Sequence, residues 1–255
     1  MIEREELEEL RKRRPYRLFS LEKEYLLMIF LYALSEISDK FVFKGGTCLR
    51  LAYSHERLSE DIDLNTDLSM QKVDAIFEKI MEKYKLLGIE YNLMKKEIFE
   101  NSFTVRIRFK GPLYANREDS TNSIRIDVSQ RKNKEKKIMP INKLFSDIPF
   151  FFITCMAEEE IFAEKIRSLF QRNKGRDLYD VWVLLKKGLK VEGKMLKEKF
   201  LEENIRFDIN NLNLCSKMQY DNDMRDLVPA KPDYSILKKE VMDFLNQLPH
   251  FGTSL

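Results

Sequence analysis

The chain has 255 residues, with 45 Lys and Arg against 42 Asp and Glu, a formal net charge of +3, 44% hydrophobic residues and only 8 Gly and 7 Pro. This composition excludes a disordered or collagen-like chain, and the near balance of charge means that any nucleic-acid contact must come from local clusters of Lys and Arg. With two histidines and three scattered cysteines that share no CxxC spacing, histidine-rich metal sites and a disulfide framework are excluded, a reducing cytoplasm is expected, and carboxylates and lysines are left as agents of chemistry.

The charged start "MIEREELEELRKRR" reads as a helix stopped near Pro15, without the apolar core of a signal peptide, and no apolar run approaches the roughly 18 residues of a membrane span. In "SLEKEYLLMIFLYALSEISD", Leu21, Tyr25, Met28, Ile29, Tyr32 and Ala33 recur at helical spacing, which predicts a buried helix behind a Ser20 cap. "FVFKGG" then reads as a short strand broken by glycines, and "TCLRLAYS" as one or two turns of helix. "DIDLN" alternates acid and aliphatic, so Asp61 and Asp63 share one face of a strand while Ile62 and Leu64 point to the core. An amphipathic helix is predicted from about Ser69 to Leu87, ending at Gly88. Period-two alternation in "SFTVRIRFKG" and "SIRIDVSQ" predicts two half-buried strands, with a further strand in "IEYNLMKKEIF" and a loop in "PLYANREDSTN". From "AEEEIFAEKIRSLFQR" the helical period returns, so the composition shifts from α+β to all-α near residue 155. Two domains are expected, 1–154 with N-terminal helices and a mixed sheet, and 155–255, helical throughout.

The residues that carry chemistry lie around the glycine pair. Asp61 and Asp63, at alternate strand positions, stand roughly 6 to 7 Å apart at their Cα atoms, close enough to share divalent ions. Asp127 sits alone among aliphatics on another strand, and if the two strands are neighbours three acids converge. Like charges so close repel, and Mg²⁺, with Mn²⁺ as its substitute, takes such hard oxygen donors. Gly45, Gly46 and Thr47 at a helix start present backbone N–H groups and a hydroxyl to an anion. Together these make a site for a metal-bound triphosphate, the requirement of two-metal nucleotidyl transfer. Each part also has a plain reading: a glycine pair suits any tight turn, and Asp127 could pair with Arg125 or Arg106. The run "QRKNKEKK" holds Arg131, Lys132, Lys134, Lys136 and Lys137 and reads as a loop that could meet an RNA backbone, with Arg106, Arg108 and Arg125 as companions.

The order of a GG turn, DxD and a later strand acid resembles the nucleotidyltransferase superfamily typified by DNA polymerase β. More narrowly, "FKGGTCLRLAYSHERLSEDIDLN" with "RIDVS", "AEKIRSLFQRNKGRDLYDVW" and "MRDLVPAKPDYSIL" resembles the AbiEii/AbiGii abortive-infection toxin family, over about residues 20 to 245. The resemblance implies a nucleotidyltransferase-type α+β fold with a mixed sheet and flanking helices. It assigns Gly45, Gly46 and Thr47 to the triphosphate, Asp61, Asp63 and Asp127 to metal, Lys165 of "AEKI" to the nucleotide phosphates, and Asp177 and Asp180 of "RDLYD" to the nucleotide or its support. Where the superfamily turn carries Gly-Ser, this chain has Gly46-Thr47. Arg57 and Ser59 are read as further phosphate contacts, with an Arg57–Glu60 pair as the alternative. The plain readings of the helical residues are a solvated lysine at Lys165 and a helix cap at Asp177. The implied activity is Mg²⁺-dependent transfer of a nucleotide from an NTP to an acceptor, the 3′ end of tRNA, by the toxin of a toxin–antitoxin pair whose antitoxin is a separate DNA-binding repressor. Transfer of NMP to a protein hydroxyl and a non-catalytic nucleotide-binding module are the alternatives.

Overall fold

The computed structural model describes residues 1–248 apart from Lys132 and Lys134. It divides into two compact units, Met1–Met156 and a second from Ala157 onward.

In the first unit, α1 (Arg4–Arg13) carries Glu5 and Glu6 in its first turn and Arg11, Lys12 and Arg13 in its last, as the helix dipole favours. Helix α2 (Leu18–Ile37) is buried almost all round, the mark of a core helix. It starts at Leu18 after an Arg17 cap, so Ser20 lies inside the first turn and is not the cap that the spacing suggested. Strand β1 (Phe41–Lys44) runs straight into α3 (Gly45–Ala52), and β2 (Asp61–Thr66) leads to α4 (Met70–Leu86). Strands β3 (Glu90–Ile98), β4 (Ser102–Lys110), β5 (Asn122–Gln130), β6 (Lys136–Ile141) and β7 (Phe151–Met156) complete a seven-stranded mixed sheet in the order β3-β4-β5-β2-β1-β7-β6. The β2–β5 and β1–β7 pairs are parallel and the rest antiparallel.

One face of the sheet is the core. Phe103, Val105, Ile107 and Phe109 of β4, Ile124 and Ile126 of β5, and Ile62 of β2 are sealed from solvent. Phe77 and Tyr84 of α4 pack on Phe103 and Phe109 with ring centroids 5.5 and 4.7 Å apart, and the Tyr84 hydroxyl donates to the Leu26 carbonyl of α2 at 2.6 Å. Because side chains alternate across a strand, the residues between these aliphatics all fall on the opposite face.

Strands β6 and β7 correct the reading of the basic run as a loop: Lys136 and Lys137 open β6, an edge strand that tolerates Pro140. Lys132 and Lys134 lie outside the described residues. Strand β7 pairs with β1, and the first unit runs to Met156, two residues past the expected boundary at 154.

The second unit is built from α5 (Glu158–Gln171), α6 (Gly175–Lys186), α7 (Gly193–Glu202), α8 (Lys217–Asp223) and α9 (Tyr234–Gln247). Its core includes Ile161, Phe162, Ile166, Leu178, Val181, Leu184, Leu196, Leu237, Val241 and Leu245. Cys48, Cys155 and Cys215 are buried free thiols.

Candidate active site

The polar face of the sheet is ordered by register. Lys44 of β1 pairs with Asp63 of β2, Asp63 with Asp127 of β5, and Asp127 with Thr104 of β4. The next row sets Asp61 beside Arg125 and Arg125 beside Arg106. Parallel pairing of β2 with β5 therefore brings Asp61, Asp63 and Asp127 to one face from positions more than 60 apart in the chain, while Ile62 and Ile126 pair on the buried face beneath them.

The glycine turn closes on the same carboxylate. Gly45 has φ +76°, the left-handed region that glycine enters without steric cost, and a Cβ there would overlap the Asp63 carboxylate. A Cβ on Gly46 would come within 2.5 Å of an Arg57 guanidinium nitrogen and 2.9 Å of the Ser59 hydroxyl. A Cβ at either position would have to push the site's own side chains aside, and at Gly45 the positive φ disfavours any other residue as well. Thr47 is buried and its hydroxyl donates to the Asp61 carbonyl, tying the first turn of α3 to the start of β2. Its hydroxyl sets the spacing between turn and acids. Arg57 is buried too, donating to the Leu58 carbonyl at 2.8 Å.

Asp127 is held by its neighbours. Its carboxylate pairs with the Arg125 guanidinium at 2.9 Å and accepts from the Thr104 hydroxyl at 2.7 Å. Among the described residues, no three His, Cys, Asp or Glu side chains stand ready-clustered around one ion position. The donors themselves suit Mg²⁺ or Mn²⁺: three carboxylates on one sheet face are hard oxygen ligands, and Gly45 leaves room against one of them.

The remaining predicted residues meet in the second unit. Lys165 of α5 is buried, with its ammonium 2.9 Å from Asp177 and 2.8 Å from Asp180 of α6. It is not a solvated lysine. Asp177 does not cap α6 either; Lys174 occupies that position. Arg172, which the sequence reading passed over, closes the cluster by donating through Nε to Asp177 at 2.7 Å and through Nη2 at 3.1 Å. Its signal was its place five residues before Asp177, across the α5–α6 turn. Burial alone pushes the Asp177 carboxyl up, but Lys165 and Arg172 outweigh it and hold the carboxyl below the ordinary aspartate range.

The fold is that of nucleotidyltransferases. MenT4, a nucleotidyltransferase toxin from Mycobacterium tuberculosis H37Rv, superposes with a TM-score of 0.70 at 16% identity, covering 98% of this chain and 91% of that one. JHP933 from Helicobacter pylori superposes with a TM-score of 0.59 at 18% identity, covering 90% of this chain and 91% of that one. No curated protein is similar in sequence at a significant level. The model of the nucleotidyl transferase AbiEii toxin family, type IV toxin–antitoxin system, matches residues 29–253, and the chain belongs to that family. A nucleotide substrate and a cognate antitoxin follow from this membership. No helix among the described residues is long and apolar enough to cross a membrane.

Proposed function

We propose that this toxin transfers a nucleotide from an NTP to the 3′ hydroxyl of an RNA, with tRNA the acceptor class, at the polar face of β2 and β5 in the cytoplasm. One observation carries the reading: the Gly45 turn abuts the carboxylate of Asp63, and Asp63 is the register partner of Asp127. This adjacency supports reading the glycine turn and the acids as parts of one site.

Asp61, Asp63 and Asp127 would hold Mg²⁺, which when bound neutralises charge on the α-phosphate and on the leaving pyrophosphate. The backbone N–H groups of the first turn of α3 would meet the triphosphate, with Arg57 and Ser59 beside Gly46. The acceptor oxygen forms a bond to the α-phosphorus as the bond to pyrophosphate breaks. Asp127 takes the hydroxyl proton. Arg106, Arg108 and Arg125 on the polar face of β4 and β5 offer positive charge to the acceptor backbone. The roles that family resemblance implies for Lys165, Asp177 and Asp180 belong to the same proposal and are tested by substitution.

The test is incubation of the purified protein with Mg²⁺, each α-labelled NTP, and total RNA or total protein in turn. Label entering tRNA with one NTP is the expected result. Label in protein alone would make a protein hydroxyl the acceptor, and label in neither fraction would overturn transfer altogether.

A further inference from the structure

A cavity of about 470 Å³ lies within the second unit, between the end of α5 and the segment that follows α7. Its polar lining residues include Arg206, Asn173, Arg172, which is engaged on Asp177, and Asp208, which accepts from the Asn210 N–H; Phe170 and Leu212 are among its apolar residues. Its volume falls in the range of small-molecule sites.

One buried polar atom in this wall lacks a partner: the side-chain oxygen of Asn173 accepts no hydrogen bond, while in the same lining the exposed Arg206 makes no hydrogen bond or ion pair among the described residues. A buried acceptor without a donor is costly, so a native structure that keeps one has a reason for it.

The wall is also preformed. The Asn173 carbonyl accepts from the Gln219 side chain, and the Gly175 N–H donates to the Asp223 carboxylate at 2.8 Å. A Cβ on Gly175 would come within 2.8 Å of the Tyr220 backbone, so this turn lies hard against α8. Phe170 is held by the rings of Phe200 and Phe207, with centroids 5.1 and 5.0 Å away. Packed rings and a tied-down turn in the lining lower the entropy cost of binding.

We infer that this cavity is a binding site for a phosphorylated nucleoside, either a free mononucleotide or the end nucleotide of an RNA. The guanidinium of Arg206 matches phosphate with paired donors, whereas that of Arg172 is engaged on Asp177. Asn173 and Asp208 are acceptors suited to the amino and hydroxyl groups of a base and ribose, and Phe170 and Leu212 offer a surface for the base. A bare anion would leave those acceptors unused. The residues of the cavity all belong to the second unit, and the Asp63→Ala variant tells binding there from the reaction at Asp61 and Asp63.

The test is calorimetric titration of the full chain in EDTA with inorganic phosphate, each of the four ribonucleoside monophosphates, and a short single-stranded RNA bearing a 5′-phosphate. At least one monophosphate or the RNA is expected to bind, with affinity reduced about tenfold or more by Arg206→Ala or Asn173→Ala and unchanged by Asp63→Ala. Tighter binding of the RNA identifies an RNA end as the natural occupant; tighter binding of a monophosphate identifies the free nucleotide. Thermal melts confirm that each variant folds, Arg206 being exposed. The inference is overturned if only phosphate binds, if phosphate binds as tightly as the nucleotide, if nothing binds, if both cavity variants bind normally, or if Asp63→Ala abolishes binding. Failure of label transfer in the NTP assay leaves this result untouched, so the two ideas fail separately.

Discussion

Asp63 and Asp127, 64 positions apart in the chain, are direct register partners on the parallel strands β2 and β5. Parallel partners point to the same face of a sheet, so this pairing joins the glycine-turn acid to the isolated acid. It also places Asp127 next to Arg125 and Thr104, which hold its carboxylate in the structure described.

Removing the carboxylate at the centre of this row removes the charge proposed to bind metal. Asp63→Ala is expected to lower nucleotide transfer by about 10²-fold or more while the protein still folds. Single-turnover transfer and a thermal melt on the same sample check both halves.

At Gly45 the expected effect falls on both stability and activity. Alanine would be strained at φ +76° and would push the Asp63 carboxylate aside. Gly45→Ala should cost about 1 to 2 kcal/mol in urea unfolding, in line with an alanine forced into the left-handed region, and transfer should fall in parallel. An unchanged unfolding midpoint would mean that Asp63 has room to move.

Lys165 neutralises two buried acids, so Lys165→Met would leave Asp180 without that cation and Asp177 with Arg172 alone. The expected loss is about 3 to 5 kcal/mol, as for breaking a buried ion pair from one side. Lys165→Met combined with Asp177→Asn and Asp180→Asn should regain part of it. If the triple variant is stable yet inactive, Lys165 serves the reaction as well as the fold.

Asp177 also predicts the acid limb of stability. Its folded pKa is depressed, so it contributes stability at pH values above the ordinary aspartate range, about 3.9, and that contribution disappears as pH falls through the lower, folded value. Asp177→Asn should flatten the decline in unfolding free energy below about pH 4. Urea melts between pH 3 and 6 provide the comparison.

If the arginines of β4 and β5 meet an RNA backbone, their loss should show in salt dependence. Arg106→Ala with Arg108→Ala is expected to reduce the slope of log affinity against log salt by roughly 0.7 per lost phosphate contact for single-stranded RNA. NTP binding should be unaffected. Fluorescence anisotropy of labelled tRNA across a salt series would show either outcome.

Local grammar in the amino-acid sequence was enough for much of this protein. Alternation put Asp61 and Asp63 on one strand face and Ile62 on the other, and helical spacing marked α2 and α4, because side-chain period follows from backbone geometry alone. Strands β6 and β7 escaped this reading: one is a lysine-rich edge strand with a proline, the other an unalternating apolar run before a helix. Register is a long-range property set by which strand finds which neighbour. Only tertiary structure decided that Asp127 stands beside Asp63, that the Asp63 carboxylate packs against Gly45, and that Lys165 lies between Asp177 and Asp180. Sequence named these residues as chemically apt; packing decided which of them touch, since a carboxylate's partner is fixed by position in space and its charge only by the chain.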